Sequence, residues 1–318
     1  MKICIIGGSG FVGTELMHLL HERHTLINID KNASSQFDPI TKIADIRDGE
    51  RLHNLLKDQE LVILLAAEHR DDVVPTSLYY DVNVKGMENV LTAMETNGIK
   101  KIIFTSTVAL YGLNQGQAPS EESAVQPFNH YGESKYQAEQ ILQKWIDEDA
   151  SRQALVLRPT VIFGPKNRGN VYNLLKQIFS GKFVMIGEGD NQKSMAYVKN
   201  VVSFIEYRIE KNFKGFELYN YADKPDFSMR DLVELIYRHK GSRTPAYRIP
   251  YILGMFFGYL FDALAFILGR KFPISSIRVK KFCATSIINA DKAYQSGFIP
   301  PFSLHEAINE TLKGEFGK

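Results

Sequence analysis

Two cysteines, Cys4 and Cys283, are all that the 318 residues hold, so no disulfide framework is available to this chain. Cys4 lies inside an apolar run and reads as a small buried hydrophobe. Such cysteine usage suits a reducing cytosol. Net charge is nearly absent too. A formal +2 gives no field strong enough to draw nucleic acid by charge alone, and no nucleic-acid partner is expected. Internal repeats and low-complexity tracts are missing, which excludes solenoids and biased linkers. The opening MKICIIGGSG has one lysine, a short apolar run and then glycines. That is the pattern of a buried strand and not of a signal peptide. No metal site is expected. The composition is otherwise that of a soluble globular protein, long enough for one large domain or two unequal ones.

Short apolar runs alternate with amphipathic segments through the first half. Runs at 2–7, 25–30, 41–45, 61–66, 101–106 and 153–158 predict strands, and segments 11–23, 48–57, 76–97 and 131–147 predict helices. Apolar runs without alternation, separated by helical patterns, indicate parallel strands covered on both faces. The expected fold is α/β, a doubly wound parallel sheet of Rossmann type over residues 1–160. Past Pro159 the texture changes: Pro, Gly and Asn become frequent, with helices at 171–180 and 228–239. Residues 161–318 are expected to form a smaller C-terminal substrate lobe, with 199–222 returning to the first domain.

IIGGSGFVG carries Gly7, Gly8, Gly10 and Gly13 between a strand and a helix. Glycines there allow a tight turn, close approach to a pyrophosphate, and close helix–strand packing. The helix N-terminus adds amide donors and a favourable dipole. A glycine turn without a ligand is the competing reading. Asp30 ends the second strand about twenty residues on, where a carboxylate accepts from ribose hydroxyls. It repels a 2′-phosphate, so NAD is favoured over NADP; Lys31 beside it weakens that inference. Asp45, in ADIRD, ends the third predicted strand, where an adenine would lie. Its plainer reading is a helix N-cap.

NHYGESK places Tyr131 and Lys135 four apart on one predicted helix, so both side chains project from one face. A free phenol has a pKa of roughly 10 and is a poor base at neutrality. A nearby ammonium and a positive nicotinamide ring both favour the phenolate, and the lysine can also hold the nicotinamide ribose. FTSTVALYG ends the fifth strand at Ser106 and Thr107, where a hydroxyl can bind the substrate oxygen beside Tyr131. Tyr-xxx-Lys alone occurs often by chance. Its register with the glycine loop and the strand-end hydroxyls gives it meaning.

Together GGSGFVG, Asp30, ADIRD, LLAAEHRDD, Asn83 in DVNVKG, TSTVALYG, YGESK and LRPTVIFGP resemble the extended short-chain dehydrogenase/reductases, within them the nucleotide-sugar epimerases. The resemblance implies Thr107 as catalytic hydroxyl, Tyr131 as base and Lys135 as its partner, with Ser106 in place of Thr107 if the strand register slips by one. It implies NAD contacts from Gly7, Gly10, Phe11, Val12, Gly13, Asp30, Asp45, Ile46, Ala66, Ala67, Asn83, Tyr131 and Lys135. In such enzymes the tyrosinate takes the sugar C4 hydroxyl proton while hydride passes to NAD; the keto sugar turns over, and hydride returns to its other face. A homodimer through 76–97 and 131–147 is also implied. Dehydratases of this superfamily place an acidic pair after the strand-end Thr. Val108 and Ala109 stand there, which speaks against dehydration. Competing readings are a soluble UDP-GlcNAc or UDP-glucose 4-epimerase, a sugar oxidoreductase or dehydratase, and a non-catalytic NAD-binding protein.

In the second lobe, GPKNRGNVYNLLKQ offers Lys166, Arg168 and Asn170 just before a helix. Cations plus helix-start amides make an anion site. Arg168 and Asn170 are expected to touch a substrate diphosphate or sugar, joined by Lys193. For Lys166 and Lys193, solvated loop charges are the alternative. His69, after the fourth strand, is expected in the sugar pocket or as a loop cap. Asp71 and Asp72 are expected to start a helix or pair with Arg70. Lys199 stands where relatives commonly carry Asp.

IPYILGMFFGYLFDALAFILG, residues 249–269, carries one charge, Asp262. As a helix, 251–268 would span about 27 Å at ~1.5 Å per residue, slightly under a roughly 30 Å hydrocarbon core. Gly254, Gly258 and Asp262 form one narrow face, and Arg270, Lys271, Arg278, Lys280 and Lys281 follow. A transmembrane span is disfavoured by Asp262. A buried helical hairpin is the plain alternative. The favoured reading is monotopic, with the glycine face on protein and the aromatic face in lipid beside anionic headgroups. A membrane-facing epimerase would act on a sugar attached to a lipid diphosphate. LLAAEHRDDVVPTSLYYDVNVKG, RPTVIFGPKNRGNVYNLLKQI, KSMAYV and SSIRVKKFCAT resemble the bacterial 4-epimerases of lipid-linked amino sugars that serve O-antigen and lipopolysaccharide assembly. This implies interconversion of GlcNAc- and GalNAc-diphospho-undecaprenol at the cytoplasmic face of the inner membrane.

Overall fold

Seven apolar strands pair into one sheet in the computed structural model, which describes residues 1–70, 72–112, 118–243, 247–270 and 275–317. They are β1 Lys2–Ile6, β2 Thr25–Asp30, β3 Thr41–Ile43, β4 Leu61–Leu64, β5 Lys101–Thr105, β6 Gln153–Pro159 and β7 Phe216–Tyr221. The order is β7-β6-β5-β4-β1-β2-β3, and every pairing is parallel. Successive side chains of a strand face opposite ways. Accordingly, Ile3 and Ile5 of β1 join one core with Leu16, Met17, Val201 and Phe204, while Cys4 and Ile6 join the other with Leu52, Met87 and Leu142. The first core lies under α1 (Phe11–Leu20) and, later in the chain, α6 (Val198–Glu210). The second lies under α2 (Gly49–Leu55), α3 (Gly86–Thr96) and α4 (His130–Asp147). The strand order reverses between β1 and β4, and ligands of such sheets bind in that crevice.

Several elements end earlier than the sequence suggests. β4 stops at Leu64 because the amides of both Leu65 and Ala66 donate to Ile6 O, at 2.8 and 2.9 Å, so the ladder cannot continue in register. β3 stops at Ile43 and leaves Asp45 beyond the strand, and β5 stops at Thr105. The expected helix 76–97 is not regular. It contains Ser77–Tyr80, a π-helical turn at Asp81–Lys85, and α3. The wider turn carries Asn83, which is buried and bonded to the segment after β4.

The second lobe has its own core. Leu175 and Ile178 of α5 (Asn170–Phe179), Leu232 and Ile236 of α7 (Met229–His239), and Leu304, Ile308 and Leu312 of α10 (Leu304–Phe316) pack with Phe163 and Tyr197. The chain returns to the sheet through α6 and β7, and again through Ala293 and Phe298, which sit in the α1-side core. The second return carries no periodic signal in the sequence.

Helix α8, Tyr251–Leu268, is only 11% buried, which overturns the buried-hairpin reading. Among its residues Gly254 and Gly258 alone are buried. They let α8 lie against Ile186, Val279 and Ser276. The carboxylate of Asp262 turns inward and accepts from the backbone N of Ser276, at 3.1 Å, and from its hydroxyl. Ser276 opens helix α9 (Ser276–Cys283), so the one charge of the apolar segment satisfies a helix-start amide. Ile252, Phe256, Tyr259, Phe266 and Ile267 face outward, and Arg270, Arg278, Lys280 and Lys281 are exposed beside them. Lys271, grouped with these cations on sequence, and Asp71 lie outside the described residues.

A Cβ on Gly258 would stand 2.7 Å from Ser276 Cα, a backbone atom that cannot swing away. Gly258→Ala is expected to lift α8 from α9 and cost about 1–3 kcal/mol. Protease cleavage within residues 249–283 should accelerate while β1–β7 stay protected. An unchanged cleavage pattern and melting temperature would contradict this packing.

Candidate active site

The loop after β1 has only one tolerable residue at its first position. Gly7 has φ +94°, and a Cβ there would lie 2.5 Å from the backbone N of Ala66. A Cβ on Gly13 would meet Gly8 Cα at 2.4 Å, so α1 rests directly on the loop. Gly10 caps α1 without a side chain, and the first turn carries no acidic residue. The amides at Phe11, Val12 and Gly13 therefore form an uncompensated positive end. This cradle fits a dinucleotide pyrophosphate. Phe11 and Val12 also pack toward the second lobe.

Asn28 went unnoticed on sequence, although a lone amide within TLINID was the available signal. It is fully buried in β2. Its Oδ1 accepts from Gly8 N at 2.9 Å, and its Nδ2 donates to Ser9 Oγ and Thr41 Oγ1. Asp30 braces the same loop, accepting from Ser9 N at 3.0 Å and Asn32 N at 2.9 Å. Asp45 is held by Arg47, Nη2 to Oδ2 at 2.7 Å, and that hydrogen-bonded cation keeps its carboxyl below the usual carboxylate range. It is no helix cap: Asp48 caps α2, accepting from Arg51 N. Ile46 is buried against Gly86. Ala66 and Ala67 leave β4 half-buried, Ala66 against Gly7.

Asn83 links the segment after β4 to one helix. Its Oδ1 accepts from Glu68 N at 2.9 Å, and its Nδ2 donates to Glu68 O at 3.0 Å and Ser134 Oγ at 2.9 Å. Ser134 Oγ donates to Tyr131 O at 2.9 Å. Asn83 thus fixes the segment after β4 against the helix that carries Tyr131 and Lys135. Asn129 caps that helix, accepting from Gly132 N at 2.8 Å. A Cβ on Gly132 would stand 2.9 Å from Ala109 O, so α4 abuts the short 3-10 turn Val108–Tyr111. Thr107 caps that turn through Oγ1, which accepts from Ala109 N at 3.1 Å. The turn that Thr107 caps thus meets the first turn of the helix that carries Tyr131. The Ser106 hydroxyl has no accessible surface and no hydrogen-bond partner among the described residues.

Lys135 is 1% exposed. Its Nζ lies over the Phe104 ring, 4.1 Å from the centroid. Burial pushes its pKa down to about 7, opposed by the charge of Glu139.

The residues expected to meet substrate are more scattered. His69 is exposed after β4. Arg70 pairs with Glu68, at 3.1 Å, and not with Asp72; Thr76, not Asp72, caps the next helix. Asn170 is exposed as the first residue of α5. Arg168 stacks on Tyr172, 4.4 Å away, and its Nη1 donates to Glu315 at 2.5 Å. Glu315 also accepts from Lys166 N. Lys193 is no loose loop charge. Its Nζ donates to Lys281 O at 3.0 Å and Ala284 O at 2.5 Å, which fastens the end of α9. Lys199 pairs with Glu310 at 2.9 Å and so ties α10 to α6.

Residues 3–222 match the NAD dependent epimerase/dehydratase family. Over 99% of its length the chain is 52% identical to N-acetyl-alpha-D-glucosaminyl-diphospho-ditrans,octacis-undecaprenol 4-epimerase of Escherichia coli O157:H7, with 95% of that protein covered. It is 26% identical, over 98% of its length, to the decarboxylating sterol-4-alpha-carboxylate 3-dehydrogenase of Mus musculus, with 90% of that protein covered. Among solved structures, UDP-glucose 4-epimerase of Thermotoga maritima superposes with TM-score 0.76 at 22% identity, over 99% of this chain and 98% of that one. UDP-N-acetylglucosamine 4-epimerase of Methanobrevibacter ruminantium M1 gives 0.76 at 21%, with the same coverage. These likenesses show the shared fold.

In cofactor-free protein, Lys135 titrates near 7 when folded and near 10.4 when unfolded. Between those values the unfolded chain holds more protons, so stability rises with pH across that window and is lowest below it. Lys135→Met, neutral throughout, lacks this term. Denaturant unfolding should show wild type gaining on the variant from about pH 7 towards pH 10, by at most ~1.4 kcal/mol per unit. Parallel pH profiles would refute the buried, desolvated lysine.

Proposed function

The chain belongs to the NAD dependent epimerase/dehydratase family, and we propose that it is a 4-epimerase interconverting GlcNAc- and GalNAc-diphospho-undecaprenol. The observation that carries this reading is the 52% identity, nearly end to end, with an enzyme named for that lipid-linked substrate. NAD is the cofactor, and the glycine cradle, the open end of α1 and Asp30 would hold it. When bound, NAD supplies a hydride acceptor and donor at the sugar C4.

The chain's own residues handle position and protons. Thr107, on the turn abutting α4, holds the C4 oxygen; Ser106, sealed inside, does not reach it. Tyr131 removes the C4 hydroxyl proton and later returns it. Lys135, covered by Phe104, keeps the phenolate stable. Between those steps the 4-keto sugar turns over, so the diphosphate must be gripped while the sugar stays loose. Asn170 and the amides that open α5 grip the diphosphate. Arg168 orders this loop through Glu315. Val108 and Ala109 offer no acid for dehydration.

The lipid enters through α8. Its aromatic face lies in the cytoplasmic leaflet of the bacterial inner membrane, and Arg270, Arg278, Lys280 and Lys281 meet anionic headgroups. Asp262 turns to Ser276 and away from that face. A homodimer through residues 77–96 and α4 completes the reading.

Purified protein is expected to convert GlcNAc-diphospho-undecaprenol into the GalNAc form without added reductant. Equal or faster turnover of UDP-GlcNAc would favour a nucleotide-sugar epimerase instead. Tyr131→Phe should lower kcat by about 10²–10⁴-fold with NAD still bound, and full activity would end the base assignment. On anionic liposomes, wild type should float and a Phe256→Ser, Phe257→Ser, Phe266→Ser triple variant should sediment. Equal flotation would remove α8 from the membrane.

A further inference from the structure

Tyr131, Lys135 and Glu139 occupy successive i, i+4 positions of α4, so one helix face carries phenol, ammonium and carboxylate in line. The third member has no part in the chemistry above. Glu139 is buried and forked by Arg158 of β6, Nε to Oε1 at 3.0 Å and Nη2 to Oε2 at 2.5 Å. Arg158 Nη1 donates to Tyr111 OH at 2.7 Å, and Tyr111 OH donates to Asn220 Oδ1 of β7 at 2.7 Å. Tyr111 closes the turn that Thr107 opens. A buried ion pair is a poor stabiliser, because desolvation consumes most of its attraction. Its position gives it another use. Among the described residues no carboxylate forms an ion pair with Lys135.

We infer that Glu139, locked in place by Arg158, is a positioning residue for the reaction: it is the anion that keeps the Lys135 ammonium charged beneath Tyr131. This rests on Tyr131 as base. Other titratable groups around α4 are committed elsewhere: Tyr111 to Arg158 and Asn220, Glu68 to Arg70, Tyr79 to Arg70 O, Tyr80 to His130, and Arg152 to Glu95 and Trp145 O. Burial alone drags Lys135 toward the neutral form, and Glu139 opposes it.

The test follows the Tyr131 phenol directly and needs no sugar, so a wrong substrate assignment cannot be confused with failure here. The near-ultraviolet phenolate band of NAD-loaded protein is titrated with pH, and the same titration of the matching Tyr131→Phe protein is subtracted. Glu139→Gln should raise the Tyr131 midpoint by about one pH unit, because Lys135 then loses its proton and ceases to support the phenolate. Removing a carboxylate that acted straight on the phenol would lower the midpoint, so the direction identifies the route. An unchanged or lowered midpoint overturns the inference. If Glu139→Gln does not fold with Arg158 unpaired, the Glu139→Gln, Arg158→Met double variant removes both charges, and a smaller rise in the same direction is expected. A wild-type midpoint there is equally fatal. Glu139→Asp, which keeps the charge, should titrate like wild type. Absence of any Tyr131 signal in the difference ends the base assignment and this inference together.

Discussion

An ammonium shut away from water is the constraint around which this molecule is arranged. Lys135 loses its hydration in a place where the Phe104 ring and a helix neighbour compensate it. That is unfavourable for the cofactor-free fold, and it persists only because the surroundings over-determine it. Asn129 caps the helix, Gly132 lets it sit on the Thr107 turn, and Asn83 ties it to the chain leaving β4. β4, β5 and β6 thus deliver their C-terminal ends to a single helix. Burial lowers the lysine's pKa to about 7, against the pull of Glu139. A phenolate beside it would draw the proton back, because opposite charges in low dielectric reinforce each other.

Much of this could be read from residue order. The strand series, the glycine cradle, Asp30 and the Tyr131–Lys135 spacing are local patterns, and local patterns are what periodicity detects. What residue order did not show shares a cause. Asp45 resembled a cap because a carboxylate near a helix start commonly is one, yet Asp48 was better placed by three residues. The pairing of Arg168 was not legible because its partner, Glu315, lies 147 positions away. The alternative of a solvated charge stayed open for Lys193 because the carbonyls it reaches come from the end of α9, 88 and 91 positions on. Asn28 and Asn83 act through hydrogen bonds to backbone, which leave little trace in composition.

The last helix does more than close the second lobe. Gly314 lies close to Pro165, Glu315 takes both Lys166 N and Arg168, and Phe316 stacks on Phe179 and Tyr172. Within one turn, α10 fixes the loop that leads into α5. One turn earlier, Glu310 takes Lys199 and Tyr197, and burial together with that carboxylate pushes the Tyr197 phenol far up. The loop in front of Asn170 therefore owes its shape to the final residues of the chain.

Helix α8 buries two glycines, turns one carboxylate to its own protein, and leaves most of its apolar circumference exposed. Away from amphiphile, that bare flank meets the same flank on other molecules, and nothing in an all-apolar stripe dictates a closed pairing over an open-ended one. Colloidal behaviour and native folding are thereby uncoupled in this chain. A preparation can clump heavily while its seven-stranded sheet remains intact, and detergent that disperses it repairs no misfolding.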